Sequence, residues 1–145
     1  MNAYATRATR AEPATTRGRA LNVTLWAVQA LLALLFATAA IPKLIAAPMA
    51  VAMFATIGVG QWFRYVVGVA ELAGAIGLLV PRLAGLAALG LVLDMVGATA
   101  VQAAIFHANQ WLPASVLLLS ALVVWGRWPQ TRALAAVLVG KERWS

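Results

Sequence analysis

Glu71 and Asp94 are the only acidic residues between Glu12 and Glu142, and each lies inside a long apolar stretch. A carboxylate among apolar neighbours in a membrane costs about 3 kcal/mol or more unless it is paired, protonated or turned toward a polar interior. Glu71 lies 11 residues before Arg82 and Asp94 lies 12 after it, on either side of a reversal at Pro81-Arg82. In an antiparallel helix pair that symmetry puts both carboxyls at one depth, about 16–18 Å from the turn. If they face each other, two ionised groups repel and one is expected to hold a proton. Two basic residues offer an alternative. Arg64 is seven residues ahead of Glu71, two turns along the same face, and Lys43 follows Pro42 at the end of the preceding apolar run. Lys43, Arg64, Glu71 and Asp94 are thus the candidate ligand-binding or proton site. The same four residues also read as an internal ion network that fixes helix register, and both readings stay open.

His107, Asn109 and Gln110 form a weaker candidate set, where a metal or a quinone head would find donors. A lone histidine at a helix end is more simply a polar turn residue, and no metal is assigned. The chain has no cysteine, which excludes disulfides, thiolate metal sites and a thiol relay. It has no Gly-rich phosphate loop, nucleophile elbow or paired-histidine zinc motif. No self-contained catalytic motif is present, so whether the chain is an enzyme stays open, and redox chemistry would need a cofactor or partner.

The elements that carry these residues follow from composition. Of 145 residues 63% are hydrophobic and 10% charged, with a mean hydropathy of +0.88, a balance that belongs to a membrane rather than to a soluble domain. A spanning helix needs about 20 mostly apolar residues. Four are read, over residues 22–41, 63–80, 84–106 and 111–125, the last being the shortest. The expected fold is an all-α integral membrane four-helix bundle. Between helices 1 and 2, Pro48 at a first helical position and Gly58 just past an end predict a short interfacial helix. Thr131 to Gly140 predicts a C-terminal interfacial segment anchored by Arg132. The domain plan is a disordered basic cytoplasmic tail over 1–20, a four-helix transmembrane domain over 21–128 and a cytoplasmic interfacial tail over 129–145.

The net charge of +7 is explained by placement and calls for no nucleic acid. Four crossings put Arg7, Arg10, Arg17, Arg19, Arg82, Arg127, Arg132, Lys141 and Arg143 on one face and only Lys43 and Arg64 on the other. The positive-inside rule then predicts a multi-pass protein of the cytoplasmic (inner) membrane with both termini cytoplasmic. Trp26, Trp125, Trp128 and Trp144 fall at the expected inner boundary, and Trp62 and Trp111 at the outer one. The first apolar run is too long for a cleaved signal peptide. Gly68, Ala70, Gly74 and Gly77, with Gly85, Gly90 and Gly97, allow close backbone packing.

Ile41-Pro42-Lys43-Leu44 closing the first helix, followed by the amphipathic segment and then by Gly68-Val69-Ala70-Glu71-Leu72-Ala73-Gly74, resembles the DoxX-like membrane proteins over about residues 22–128. The resemblance implies a four-helix membrane bundle. It places the family's first-helix lysine and second-helix glutamate on Lys43 and Glu71, and it offers no role for Asp94. A glycine expected near the end of the first helix is replaced by Ala39 or Ala40. Some relatives are linked to thiosulfate:quinone oxidoreduction or to membrane complexes that handle oxidative stress.

Together these readings favour a small membrane subunit that binds a hydrophobic ligand, a quinone or a lipid, within a redox or stress-related complex that includes membrane or peripheral protein partners. Glu71 and Lys43 would orient the polar head, with Asp94 as proton partner and quinone as the cofactor to test for. The alternative is a non-catalytic assembly protein whose buried charges only lock the bundle. A proton-coupled small-solute transporter is the third reading, disfavoured because no inverted repeat is evident.

Overall fold

The computed structural model describes residues 16–107 and 109–141. Among them the chain is all-helical: α1 (Thr16–Leu44), α2 (Pro48–Ile57), α3 (Gln61–Leu79), α4 (Ala84–Val101) with a π-turn over Gln102–Phe106, α5 (Trp111–Gly126) and α6 (Trp128–Lys141). Of the expected N-terminal tail, residues 1–15 lie outside the described residues, as do 142–145 of the C-terminal tail, including Trp144.

α1 starts six residues before the expected Asn22. Arg17, Arg19 and Ala20 end the apolar run but are good helix formers, so hydropathy and helix do not stop together. At its far end Pro42 lacks the N–H that would reach Thr38, yet the helix continues to Leu44. Closure comes from Ala46, left-handed at φ 56°, with the Ala47 N–H donating to the Pro42 carbonyl at 2.9 Å. This is the six-to-one bond of a Schellman turn, made here with alanine where glycine is usual.

α2 has the expected punctuation, Pro48 in its first turn and Gly58 left-handed at φ 81° with its N–H on the Phe54 carbonyl. It buries Ala50 and Phe54. Phe54 meets the Phe63 ring edge-on at 6.0 Å, and the Gln61 amide donates to the Val51 carbonyl at 3.0 Å. The short helix is therefore strapped to the start of α3.

α3 and α4 run antiparallel in the register that their symmetry about Arg82 predicts. A Cβ on Gly77 would lie 2.8 Å from the Ala87 Cβ, and one on Gly74 would meet the Leu91 side chain at 2.6 Å. The same register continues to bring Ala70 and Glu71 level with Asp94. α4 widens into the π-turn and ends at His107, left-handed at φ 46° with its N–H on the Gln102 carbonyl.

α1, α3 and the α4 helix extended to Phe106 are each long and apolar enough to cross a membrane. α5, with 16 residues, extends only about 24 Å. It is bent by 62° from α6, and the two reach the same length and apolarity only together, as a broken span or a re-entrant loop. The expected C-terminal segment is this α6, which starts three residues earlier than read. Pro129 has no N–H to offer the Trp125 carbonyl, so the α5 ladder cannot run through it.

The bundle is a ring in the order α1, α3, α4, α5, with α5 returning to α1. Leu32, Phe36, Ala75, Leu78, Ala88, Leu91, Val116 and Val123 fill its centre. Leu31, Leu34, Val69, Ile76, Leu93 and Leu118 point outward and are more than half exposed. An apolar exterior over a packed apolar core is what a bilayer solvent demands.

Candidate functional site

Lys43 sits in the last turn of α1, and its neighbour across the interface is Gly68 of α3. A Cβ there would lie 3.1 Å from the Lys43 Cβ and 3.0 Å from Leu44, so the glycine sets how closely the two helices approach. The Lys43 ammonium turns back along its own helix and donates to both oxygens of Glu71, at 2.8 Å and 2.7 Å, and to the Ala39 carbonyl at 3.1 Å. An ammonium has three donors, and all three are used. The Glu71 side chain is 4% exposed and that of Lys43 13%. The pair is a closed, nearly dry unit.

Arg64 does not reach for Glu71. Its Nε–H donates to Gln61 at 2.8 Å and its Nη1 donates to the Lys43 backbone carbonyl, while the guanidinium lies over the Tyr65 ring at 4.1 Å. A cation bound to a terminal carbonyl satisfies an orphan acceptor and opposes the negative end of the helix dipole. Arg64 is thus the C-cap of α1, 2% exposed, and it holds the residue that carries the ammonium. Gln61 completes the arrangement by bonding Arg64 on one side and α2 on the other; sequence reasoning passed over it.

Asp94 lies level with Glu71 on the neighbouring helix, within Coulombic reach of Lys43 and Glu71. Its carboxyl makes no hydrogen bond to any described residue. It closes one end of a groove of about 300 Å³ between α3 and α4, lined further by Ala70, Ala73, Gly74, Gly77 and Gly90. The small side chains that bring the two helices together also leave this furrow open along their outer face.

His107, Asn109 and Gln110 are exposed. His107 ends the π-turn, and the Asn109 Oδ1 accepts the Trp111 N–H at 2.9 Å, an Asx turn that starts α5. No hydrogen bond links them to the Lys43 unit, and no group of three or more metal-ligating side chains occurs among the described residues.

A second buried polar group escaped sequence reasoning. Gln29, fully buried in α1, donates to the Leu78 carbonyl at 2.6 Å and accepts from Arg127 Nε at 2.9 Å. The signal was a glutamine alone in an apolar helix and an arginine between two tryptophans.

No curated protein and no solved structure matches the chain. The sequence pattern of the DoxX-like family matches residues 27–124. That span runs from the first crossing through α5 and includes Lys43, Arg64, Glu71 and Asp94. With the helical membrane bundle and its lysine–glutamate pair in place, the match over two thirds of the sequence means that this chain belongs to the DoxX-like family.

Proposed function

We propose that the protein is a membrane subunit whose α3–α4 groove takes the polar head of a hydrophobic ligand, a quinone or a lipid, with Asp94 as the recognising group. The observation that carries the reading is an intramembrane carboxyl with no hydrogen-bond partner among the described residues, at the end of an apolar groove of about 300 Å³. That volume is at the lower end for small-molecule sites. A carboxyl offers a donor or an acceptor according to its proton, so it suits a quinone oxygen or a lipid hydroxyl. Lys43 and Glu71 stand behind it as a fixed charge pair rather than as ligand contacts, because the ammonium has no donor to spare. Service in a redox or stress-related complex is suggested by the family resemblance, with the electron-carrying group supplied by the ligand or a partner.

Gly90 provides the test. A Cβ there meets nothing within 4 Å, and the residue lines the groove, so the side chain of Gly90→Leu starts in open space and takes up groove volume. Mass spectrometry of quinones and lipids extracted from the purified protein should show the retained species falling by about tenfold in Gly90→Leu, and falling also in Asp94→Asn, with folding intact. Equal recovery from wild type and both variants would overturn the assignment.

The assembly reading is favoured by the saturated Lys43 unit, and it predicts no specific co-purifying molecule. The orientation proposed is both termini in the cytoplasm of a cell limited by this inner membrane, supported by the nine-to-two division of basic residues. Reporter fusions after Trp128 should be cytoplasmic and fusions within residues 46–60 external; opposite labelling reverses it.

A further inference from the structure

At the end of the bundle remote from Lys43, a buried cation has no anion. Arg127 is 6% exposed. Its Nε donates to Gln29 at 2.9 Å and its Nη1 to Asn22 at 3.1 Å, both neutral amide oxygens, and its Nη2 is buried with no partner. The Gln29 amide is held in that orientation because its other end donates to the Leu78 carbonyl. The two acidic residues among those described, Glu71 and Asp94, lie at the depth of the other site, and the one salt bridge there is Lys43–Glu71.

The surroundings add positive potential. The Arg127 Cβ and carbonyl oxygen each lie 3.3 Å from where a Gly85 Cβ would stand, which puts the residue against the first turn of α4. Arg127 also precedes α6 directly. The first turns of α1, α4 and α6 contain no acidic residue, so the dipole ends of α4 and α6 are uncompensated. A buried guanidinium under these conditions calls for an oxyanion, which it grips through paired N–H bonds.

α1, which carries Asn22 and Gln29, and α5, which ends just before Arg127, supply an apolar slot. Ala20, Leu21, Thr24 and Leu25 of α1 and Leu122 and Trp125 of α5 line a second groove of about 300 Å³. On α1 Asn22 falls between the groove residues Leu21 and Thr24, Gln29 lies one turn beyond Leu25, and Leu25 packs on Gly126 beside Arg127. A charged receptor next to an apolar groove at a membrane boundary fits a molecule with an anionic head and a hydrocarbon tail.

We infer that Arg127 anchors the phosphate of an anionic phospholipid, with an acyl chain in the α1–α5 groove. The exposed Asn22 amide is the group that a phosphate oxygen displaces, which opens the terminal edge of the guanidinium, Nη1 and Nη2, to the anion. This site lies apart from the α3–α4 groove and stands or falls separately from it.

The test is lipid titration of the full chain in neutral detergent, followed by native mass spectrometry. Phosphatidylglycerol and phosphatidylcholine with identical chains are compared, with inorganic phosphate in a parallel thermal-shift series. Wild type should hold phosphatidylglycerol at least about tenfold more tightly than phosphatidylcholine. Arg127→Gln should lose that preference, and Arg132→Gln, which removes an exposed charge, should keep it. If Arg127→Gln does not fold, Arg127→Lys decides: unchanged charge with the fork removed should weaken phosphatidylglycerol several-fold. Wild-type affinity in a folded Arg127 variant, or equal binding of the two lipids, overturns the site. A thermal shift from inorganic phosphate equal to that from phosphatidylglycerol would overturn the lipid as its source and leave a site for soluble phosphate.

Discussion

Lys43→Met and Glu71→Gln are each expected to destabilise the detergent-extracted protein by about 3–5 kcal/mol, and the double variant by less than either. Each single change strands a group built for its partner: Lys43→Met leaves the Glu71 carboxylate without its donor, and Glu71→Gln leaves the ammonium facing a neutral carboxamide and the Ala39 carbonyl. Removing both leaves two neutral side chains and one unused carbonyl. The interaction energy from the four proteins should therefore exceed about 3 kcal/mol, at the top of the range for contacting residues, read from thermal unfolding by circular dichroism. Simple additivity would show that the 2.7 Å and 2.8 Å contacts carry no net coupling. Arg64→Gln should destabilise as well, through the lost helix cap, but without the same non-additivity toward Glu71.

The second large effect comes from a single methyl group. Gly77→Ala places a Cβ 2.8 Å from the Ala87 Cβ, and neither atom can rotate away, so α3 and α4 must separate at a cost of about 1–3 kcal/mol. Gly90→Ala, on the facing helix, adds the same methyl to open space and should gain up to about 1 kcal/mol from helix propensity alone. Opposite signs from identical chemistry are the expected result, measured as melting temperatures in one detergent. Shifts of the same sign and size would contradict the close α3–α4 approach.

That approach was legible in the sequence because depth depends only on counting residues from a turn. Glu71 and Asp94 could be set level from Arg82 alone, and the Gly77–Ala87 and Gly74–Leu91 contacts confirm the register. Rotation about the helix axis is different, since it depends on packing with every neighbour. The sequence left open whether Arg64 or Lys43 would meet Glu71. Arg64 was diverted by an acceptor that residue types do not display, the Lys43 backbone carbonyl left over where α1 ends. Arg127 was read as one more charge on the basic face. Its burial follows from the break before Pro129, which turns α6 back across α4, and from Gln29, whose reach to Leu78 no hydropathy pattern encodes. Helix ends were displaced for a related reason: hydropathy marks where lipid stops, while Arg17, Arg19 and Ala20 go on forming helix.

The sequence separation in the lysine–glutamate pair bears on how the chain enters a membrane. Lys43 is synthesised 28 residues before Glu71, so the ammonium already stands at the end of the first helix when the acidic helix emerges. A lone acidic side chain at the centre of an inserting helix carries a penalty of about 3 kcal/mol. Its counter-charge waits on the preceding helix, at an interface that Gly68 keeps narrow. The first two crossings are therefore best inserted as a hairpin, and Lys43→Met should show its earliest defect during biogenesis, as incomplete insertion of α3.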